Sequence, residues 1–411
     1  MRKEWLLAMC AAAMMASCAK DKTVALDNGA NDTPEEILLG AGQYLSAEVE
    51  EGQPMKAASR GIGSVGDLAA TNNWNGETVY VYGIVPALTG DARFAINGEQ
   101  AKAPAADAVA VAATSTLAWA TANKHFYYDG NNLYDFYGCH VDDAAEATAM
   151  KIPTRTDLAT NGFSVPVEIN GTQDLMVAVP NKESDRTATG VDSEVTDVNN
   201  LYSAWSSRRG VVPNLVFKHV LTRLTFQAKC GNATAYETGK EVYITSVQVK
   251  SVKNKGTLTI IPTDGNQQGF TASAVDTDVI DFSLMKAPSA PDTSKELETF
   301  EKVEIEGTKD DDFAQIGVPM MLVPGTEYEI VISTEQDADG SGNIDANERG
   351  SITQKITVKD NSFEAGKNYN VNITVYGLEE IEIKASLTAW EDGGDITIDP
   401  DEINPPTPDV P

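Results

Sequence analysis

The sequence predicts an all-β protein made of two tandem antiparallel β-sandwich domains. Three observations carry this. Apolar and polar residues alternate in many short segments, Gly-, Asn-, Asp- and Pro-containing turns separate those segments, and helix-period stretches are scarce. A chain of 411 residues that is 42% hydrophobic suggests about two domains of ~100–200 residues each.

The elements follow in order. Arg2 and Lys3 precede the apolar run of residues 6–16. That run is too short to span a bilayer and has the flanks of a cleaved export signal, residues 1–17. Met15-Ala16-Ser17-Cys18 resembles a bacterial lipobox, with Met where Leu is usual. Cys18 is therefore the expected lipidation site; the alternative is plain signal cleavage beside an incidental cysteine. Residues 18–60 read as a lipid tether plus a first strand, in which Leu45, Ala47 and Val49 alternate with Ser46, Glu48 and Glu50. Residues 52–61 read as an exposed loop ending in Ser59-Arg60-Gly61.

The first domain is expected over residues 61–210. Residues 79–85 form a continuous apolar strand. Phe126-Tyr127-Tyr128 and residues 133–137 flank Asp129-Gly130-Asn131-Asn132, which reads as a hairpin turn. Residues 105–122, rich in Ala and Val, fit helix or strand. Residues 175–179 are a short buried strand. The polar stretch 182–212 is the expected domain boundary. In the second domain, residues 211–398, Leu224 and Phe226 alternate with Arg223 and Thr225. Lys253-Asn254-Lys255-Gly256 reads as a turn. Tyr369, Val371, Ile373 and Val375, then Ile381, Ile383, Ala385 and Leu387, mark strands with one wet face. Residues 399–411, with five prolines, read as a disordered tail.

A formal net charge of −30 repels phosphate backbones and argues against nucleic-acid partners. Cys139 and Cys230 remain once the signal and Cys18 are set aside; an exported chain permits their pairing, and both also suit buried apolar positions. The three histidines, His125, His140 and His219, sit among apolar and aromatic strand residues. No nucleophile elbow, zinc helix or phosphate loop is present, so the chain does not read as an enzyme. Asp310-Asp311-Asp312 reads as a solvated loop.

One local motif is sharp. Residues 337–348 match a twelve-place calcium loop, with Asp337, Asp339, Ser341, Asn343, Asp345 and Glu348 as oxygen ligands. Gly342 occupies the place that needs a sharp turn, and Glu348 the place that chelates with two oxygens. The flanks, residues 328–333 and 352–358, are strand-like, so the loop is expected to cap a hairpin and to take Ca²⁺ as a stiffening ion rather than as a catalytic one.

Several features together resemble the fimbrillin family, the pilin subunits of Bacteroidetes type V pili. They are the lipobox, Ser59-Arg60-Gly61 with Asn73-Trp74-Asn75-Gly76 and the strand after it, and the mid-chain run Phe217-Lys218-His219-Val220-Leu221-Thr222-Arg223-Leu224. The end of the chain adds Phe363-Glu364-Ala365-Gly366-Lys367-Asn368-Tyr369 and Trp390-Glu391-Asp392-Gly393-Gly394. The resemblance implies transthyretin-like sandwiches, export as an outer-membrane lipoprotein, and cleavage by a processing protease between Arg60 and Gly61. It also implies polymerisation with other fimbrial subunits by strand exchange. The donor strand is expected within the alternating stretches Ile381–Ala389 or Ile396–Ile398. The alternative is a surface glycan-binding lipoprotein, in which Trp119, Trp205 or Trp390 stacks on sugar.

Overall fold

The computed structural model describes residues 35–43, 77–103, 114–121, 124–127, 132–143, 152, 162–188, 190–232, 235, 237–263, 267–287, 297–305, 313–358, 362–378 and 381–388. Cys18, Arg60, Gly61, the expected strand at 45–49, Trp390, Ile396 and Ile398 lie outside them.

The chain is all-β. Its first half carries β1 (Glu35–Glu36), β2 (Leu39–Gln43), β3 (Thr78–Ile84), β4 (Phe94–Lys102), β5 (Thr114–Trp119), β6 (Phe126–Tyr127), β7 (Asp135–Asp143), β8 (Phe163–Glu168), β9 (Gln173–Pro180) and β10 (Asn214–His219), with short helices α1 (Lys182–Thr187) and α2 (Ala204–Ser207) before β10. Seven of these strands close into a barrel in the order β10-β2-β5-β4-β3-β7-β9. Closure leaves those strands no exposed edge.

The barrel wall explains the continuous apolar run at 79–85. Val79 and Val81 fill the barrel with Ile96, Phe136, Met176 and Leu215. Tyr82, Cys139, Leu175 and Val177 belong instead to the core of the second half. Strands β3, β7 and β9 are thus buried on both faces, which removes the alternation a one-sided strand displays.

The second half carries β11 (Thr222–Cys230), β12 (Val242–Lys253), β13 (Lys255–Ile261), β14 (Gly269–Ala272), β15 (Val279–Ser283), β16 (Met285–Lys286), β17 (Glu298–Thr299), β18 (Val303–Glu304), β19 (Ala314–Gln315), β20 (Met320–Leu322), β21 (Tyr328–Gln336), β22 (Arg349–Ile356), β23 (Asn368–Val375) and β24 (Ile381–Thr388). One sheet runs β19-β11-β23-β24 and another β15-β12-β21-β22. Phe226, Val371 and Ile373 from the first share a core with Val247, Ile330 and Ile332 from the second.

Several expectations change. Phe126 and Tyr127 do not form a hairpin with β7. Strand β6 pairs with β1, and β7 pairs with β3 and β9. The sheets are not purely antiparallel, since β2–β10 and β11–β23 are parallel. Within 105–122, residues 114–119 are strand β5. The expected boundary at 182–212 is folded onto the barrel, where Val195, Leu201, Tyr202 and Val211 are buried. Strand β8 pairs across that boundary with β13. The turn expected at 253–256 is a one-residue corner at Asn254: its N–H donates to Asp278 O, and β12 and β13 enter different sheets.

Candidate functional site

Two places stand out, and the first is the N-terminal strand. Its sequence, Leu39-Gly40-Ala41-Gly42-Gln43, has little intrinsic strand preference. Yet β2 runs parallel to β10, in register from Asn214 with Gly40 to Phe217 with Gln43. Its other edge is antiparallel to β5, from Leu39 with Leu117 to Gly42 with Thr114. Ile37, Leu39 and Ala41 are buried in the barrel core. Burying Ile37 and Leu39 contributes about 1.5–3 kcal/mol each. The alternation of Ile37, Leu39 and Ala41 is the sequence signal for this strand; two glycines and the cleaner pattern at 45–49 obscured it.

A second set of contacts latches the segment just before β2. Glu35 pairs with Tyr127 and Glu36 with Phe126. Ile37 N–H donates to His125 O at 2.8 Å, and Trp119 Nε1 donates to Ile37 O at 3.3 Å. Lys124 Nζ lies 2.6 Å from Glu36 Oε2. The Trp119 ring meets His125 edge-on at 4.3 Å. Partial burial holds the His125 imidazole below its usual pKa, against the opposing pull of Glu99.

The second place is the tip of the β21–β22 hairpin, where the strand-like flanks fall as expected. The structure brings carboxylate oxygens of Asp337, Asp339 and Glu348 within 4.8 Å of one another. Backbone N–H groups organise them. Ser341 N donates to Asp337 Oδ1 and Asp339 Oδ1, both at 2.9 Å, and Gly342 N to Asp337 Oδ2 at 2.7 Å. Glu348 is buried, and its oxygens accept from Ala338 N at 2.8 Å and Asp345 N at 2.9 Å. The Ser341 N–H holds the Asp339 carboxyl below the usual carboxylate range. Gly340 and Gly342 have φ of +71° and +79°, values that favour glycine. Asp345 lies outside the three-carboxylate cluster and starts the turn Ala346–Glu348. Ser341 Oγ donates to Asn343 O at 3.1 Å. The arrangement offers hard oxygen ligands, the chemistry of Ca²⁺.

The remaining sequence candidates are structural. His219 ends β10, and its Nδ1 lies 2.7 Å from Asp174 Oδ2 in the core. His140 Nδ1 meets Thr78 O at 2.8 Å. Cys139 and Cys230 are not paired with each other; burial raises the Cys139 thiol pKa, and Cys230 Sγ donates to Ile305 O. Two of the three tryptophans proposed as sugar platforms are engaged. Trp119 packs against the latch, and the Arg209 guanidinium covers the Trp205 ring at 3.9 Å.

Fold and site together define a class of protein, a β-rich chain with an N-terminal strand built into a closed barrel. A family profile described as fimbrillin-like matches residues 69–390, and the chain belongs to that family. The family is one of fimbrial subunits at the cell surface, a structural rather than a catalytic class. No curated protein matches the chain. Solved structures that the chain matches include a candidate cell adhesion protein from Bacteroides uniformis, 11% identical, with a TM-score of 0.46 over 88% of this chain and 99% of that one. The fimbrial anchor protein Mfa2 from Porphyromonas gingivalis is 9% identical, with a TM-score of 0.32 over 85% and 97%. The tip fimbrial protein Mfa3 from the same organism, with a C-terminal truncation, is 6% identical, with a TM-score of 0.31 over 86% and 99%.

Proposed function

We propose that the chain is an adhesive building block of a surface fimbria, exported as an outer-membrane lipoprotein on Cys18, cut between Arg60 and Gly61, and polymerised by strand exchange. One observation carries this reading. Strand β2 lies upstream of Arg60, yet it is a core strand of the barrel with partners on both edges. A cut after Arg60 separates β2 covalently from everything it packs against. Its departure leaves the backbone edges of β5 and β10 unpaired and the apolar sites of Ile37, Leu39 and Ala41 empty, both costly in water. A strand from the next subunit restores both, provided it runs parallel to β10 and presents alternate apolar residues.

The choice of donor narrows. Ile381 to Leu387 already form β24, paired with β23 along its length, with Ile383 and Ala385 buried. Donating them would dismantle their own sheet. Ile396 and Ile398, two residues apart on the C-terminal side of β24, carry the needed alternation. N-terminal sequencing of chains recovered from surface fimbriae tests the reading. Mature chains should begin at Gly61, and Arg60→Ala should leave a longer, unpolymerised surface protein. Assembled material that retains residues 35–43 would refute it.

The acidic loop supports a second, compatible role. Residues 337–348 bind Ca²⁺ through Asp337, Asp339, Ser341, Asn343, Asp345 and Glu348, stiffening the hairpin. The clustering of Asp337, Asp339 and Glu348 favours this.

A further inference from the structure

The outer wall of the barrel carries a cleft of about 450 Å³ at the junction of β7, β9 and β10, lined by Asp135, Tyr137, Val179, Lys182, Tyr202 and Lys218 among others. We propose that this cleft binds an acidic saccharide, a sugar whose ring bears a carboxylate. The proposal deepens the adhesive reading above, because it names what such a subunit would recognise.

Size is the first argument: the volume lies in the ~300–1,000 Å³ range of small-ligand sites. Backbone pairing is the second. Strand β9 is paired on both edges, to β7 and β10. Strand β7 also pairs with β3, and β10 with β2. No free ladder is offered in the cleft, so an extended peptide has no edge to join. Recognition has to come from side chains.

Those side chains have two characters. Val179, a large apolar residue left 38% exposed, and the half-buried ring of Tyr137 give an apolar wall suited to the C–H face of a pyranose. Lys182, Lys218 and Asp135 line the cleft together, in a chain whose formal charge is −30. Lys182 Nζ stands 3.6 Å from Asp135 Oδ1, and both side chains are well exposed, at 38% and 40%. The same ammonium lies 5.8 Å from the Tyr202 ring centroid. A solvated pair of this kind holds weakly, so a ligand carboxylate can take over the ammonium. A neutral sugar would use the wall and leave the cations idle; a bare inorganic anion would use the cations and leave the wall idle. A carboxylated sugar uses both.

The test uses the uncleaved full chain as a monomer, so that it reads the cleft whether or not the chain polymerises. Calorimetric titration with an oligogalacturonate and with a sialylated trisaccharide separates the two sources of a sugar carboxylate; binding in either arm supports the proposal. The methyl ester of the bound sugar should bind about tenfold more weakly, and so should the Lys182→Gln and Lys218→Ala variants, the loss expected for one charge-assisted hydrogen bond. Unchanged melting temperatures in those variants exclude a folding defect. Equal binding of acid and ester, silence in both arms at millimolar sugar, binding indifferent to both substitutions, or binding of inorganic phosphate alone would each overturn it. None of those outcomes bears on cleavage at Arg60 or on polymerisation.

Discussion

Strands β2 and β24, near the two ends of the described residues, solve opposite problems. Strand β2 has five residues, two of them glycine, and is flanked on both edges inside a closed barrel. Strand β24 has eight residues and, among the described residues, pairs only with β23. Sequence preference alone would make β24 the permanent strand and β2 the weak one. Position makes β2 the more deeply enclosed. Its hold is almost wholly tertiary: apolar side chains in a slot, two ladders, and a latch at one end. A strand held that way can be replaced by any segment that fits the slot, because little of its stability is its own. Strand β24 owes more to its own alternation and to the unbroken register with β23, and in the proposed exchange it stays with the fold.

The sharpest test of this difference compares Leu39→Ala with Ile383→Ala. Both residues are buried apolar side chains, at 2% and 3% exposure, and each truncation should cost about 2–5 kcal/mol in the uncleaved chain. The two should part after maturation. A fimbria assembled from cleaved subunits has lost Leu39, so Leu39→Ala should leave the dissociation temperature of the assembled fibre unchanged while Ile383→Ala lowers it. Urea melts of the precursor and thermal dissociation of the fibre make the measurement. If Leu39→Ala weakens the fibre as much as it weakens the precursor, β2 stays in place and the contrast collapses.

How much of this was legible in the sequence depended on where each partner lay. The β23 and β24 alternations, the β21 and β22 flanks and the acidic loop are local patterns, and all are found where the residues place them. Strand β2 was missed because Gly40 and Gly42 mute its pattern. The 126–137 hairpin was misread because Asp129-Gly130-Asn131-Asn132 is a strong turn signal, whereas the real partners of the flanking strands, Glu35 and Glu36 for β6 and β3 and β9 for β7, are remote in sequence. The helical stretch after β9 reads as polar, yet Leu201 and Tyr202 dock into the barrel. Pairing β8 with β13 depends on chains that meet only in the folded state, and no local spacing announces it.

The acidic loop differs from β2 in being almost self-contained, and calcium should act on it without touching the barrel. At an extracellular-class dissociation constant of about 10⁻³ M, ten millimolar Ca²⁺ should stabilise the hairpin by about 1.4 kcal/mol. Glu348→Gln should remove most of that gain. Hydrogen exchange in Ca²⁺ should slow at Ser341 and Gly342 and leave Leu39 and Ala41 unchanged. An exchange pattern indifferent to the ion at all four amides would exclude calcium at this hairpin, and protection spreading to β2 would show that the two regions are not independent.

The smallest expected effect lies in the latch before β2, and pH reads it. His125 accepts the Ile37 N–H through its carbonyl and packs its ring on Trp119. Desolvation lowers its imidazole pKa in the folded chain, so the folded state prefers the neutral ring. The unfolded or unlatched state therefore binds the proton more readily. Stability from this group is present above the unfolded imidazole value, about 6.5, and is lost as pH falls from there through the lower folded value. The neighbouring charges work in modest ways. Glu99 opposes the depression, and the Lys124–Glu36 pair, with side chains 60% and 31% exposed, contributes about 0.2–1 kcal/mol. Taking the precursor from pH 7.5 to pH 5 should speed hydrogen exchange at Ile37 and Gly40 while the β23–β24 amides stay protected. His125→Phe keeps the edge-on packing and removes the titration, so its exchange at Ile37 should be flat across that range. If the wild-type rates at Ile37, corrected for intrinsic chemistry, are equally flat, the latch does not depend on His125, and β2 is held by the barrel slot alone.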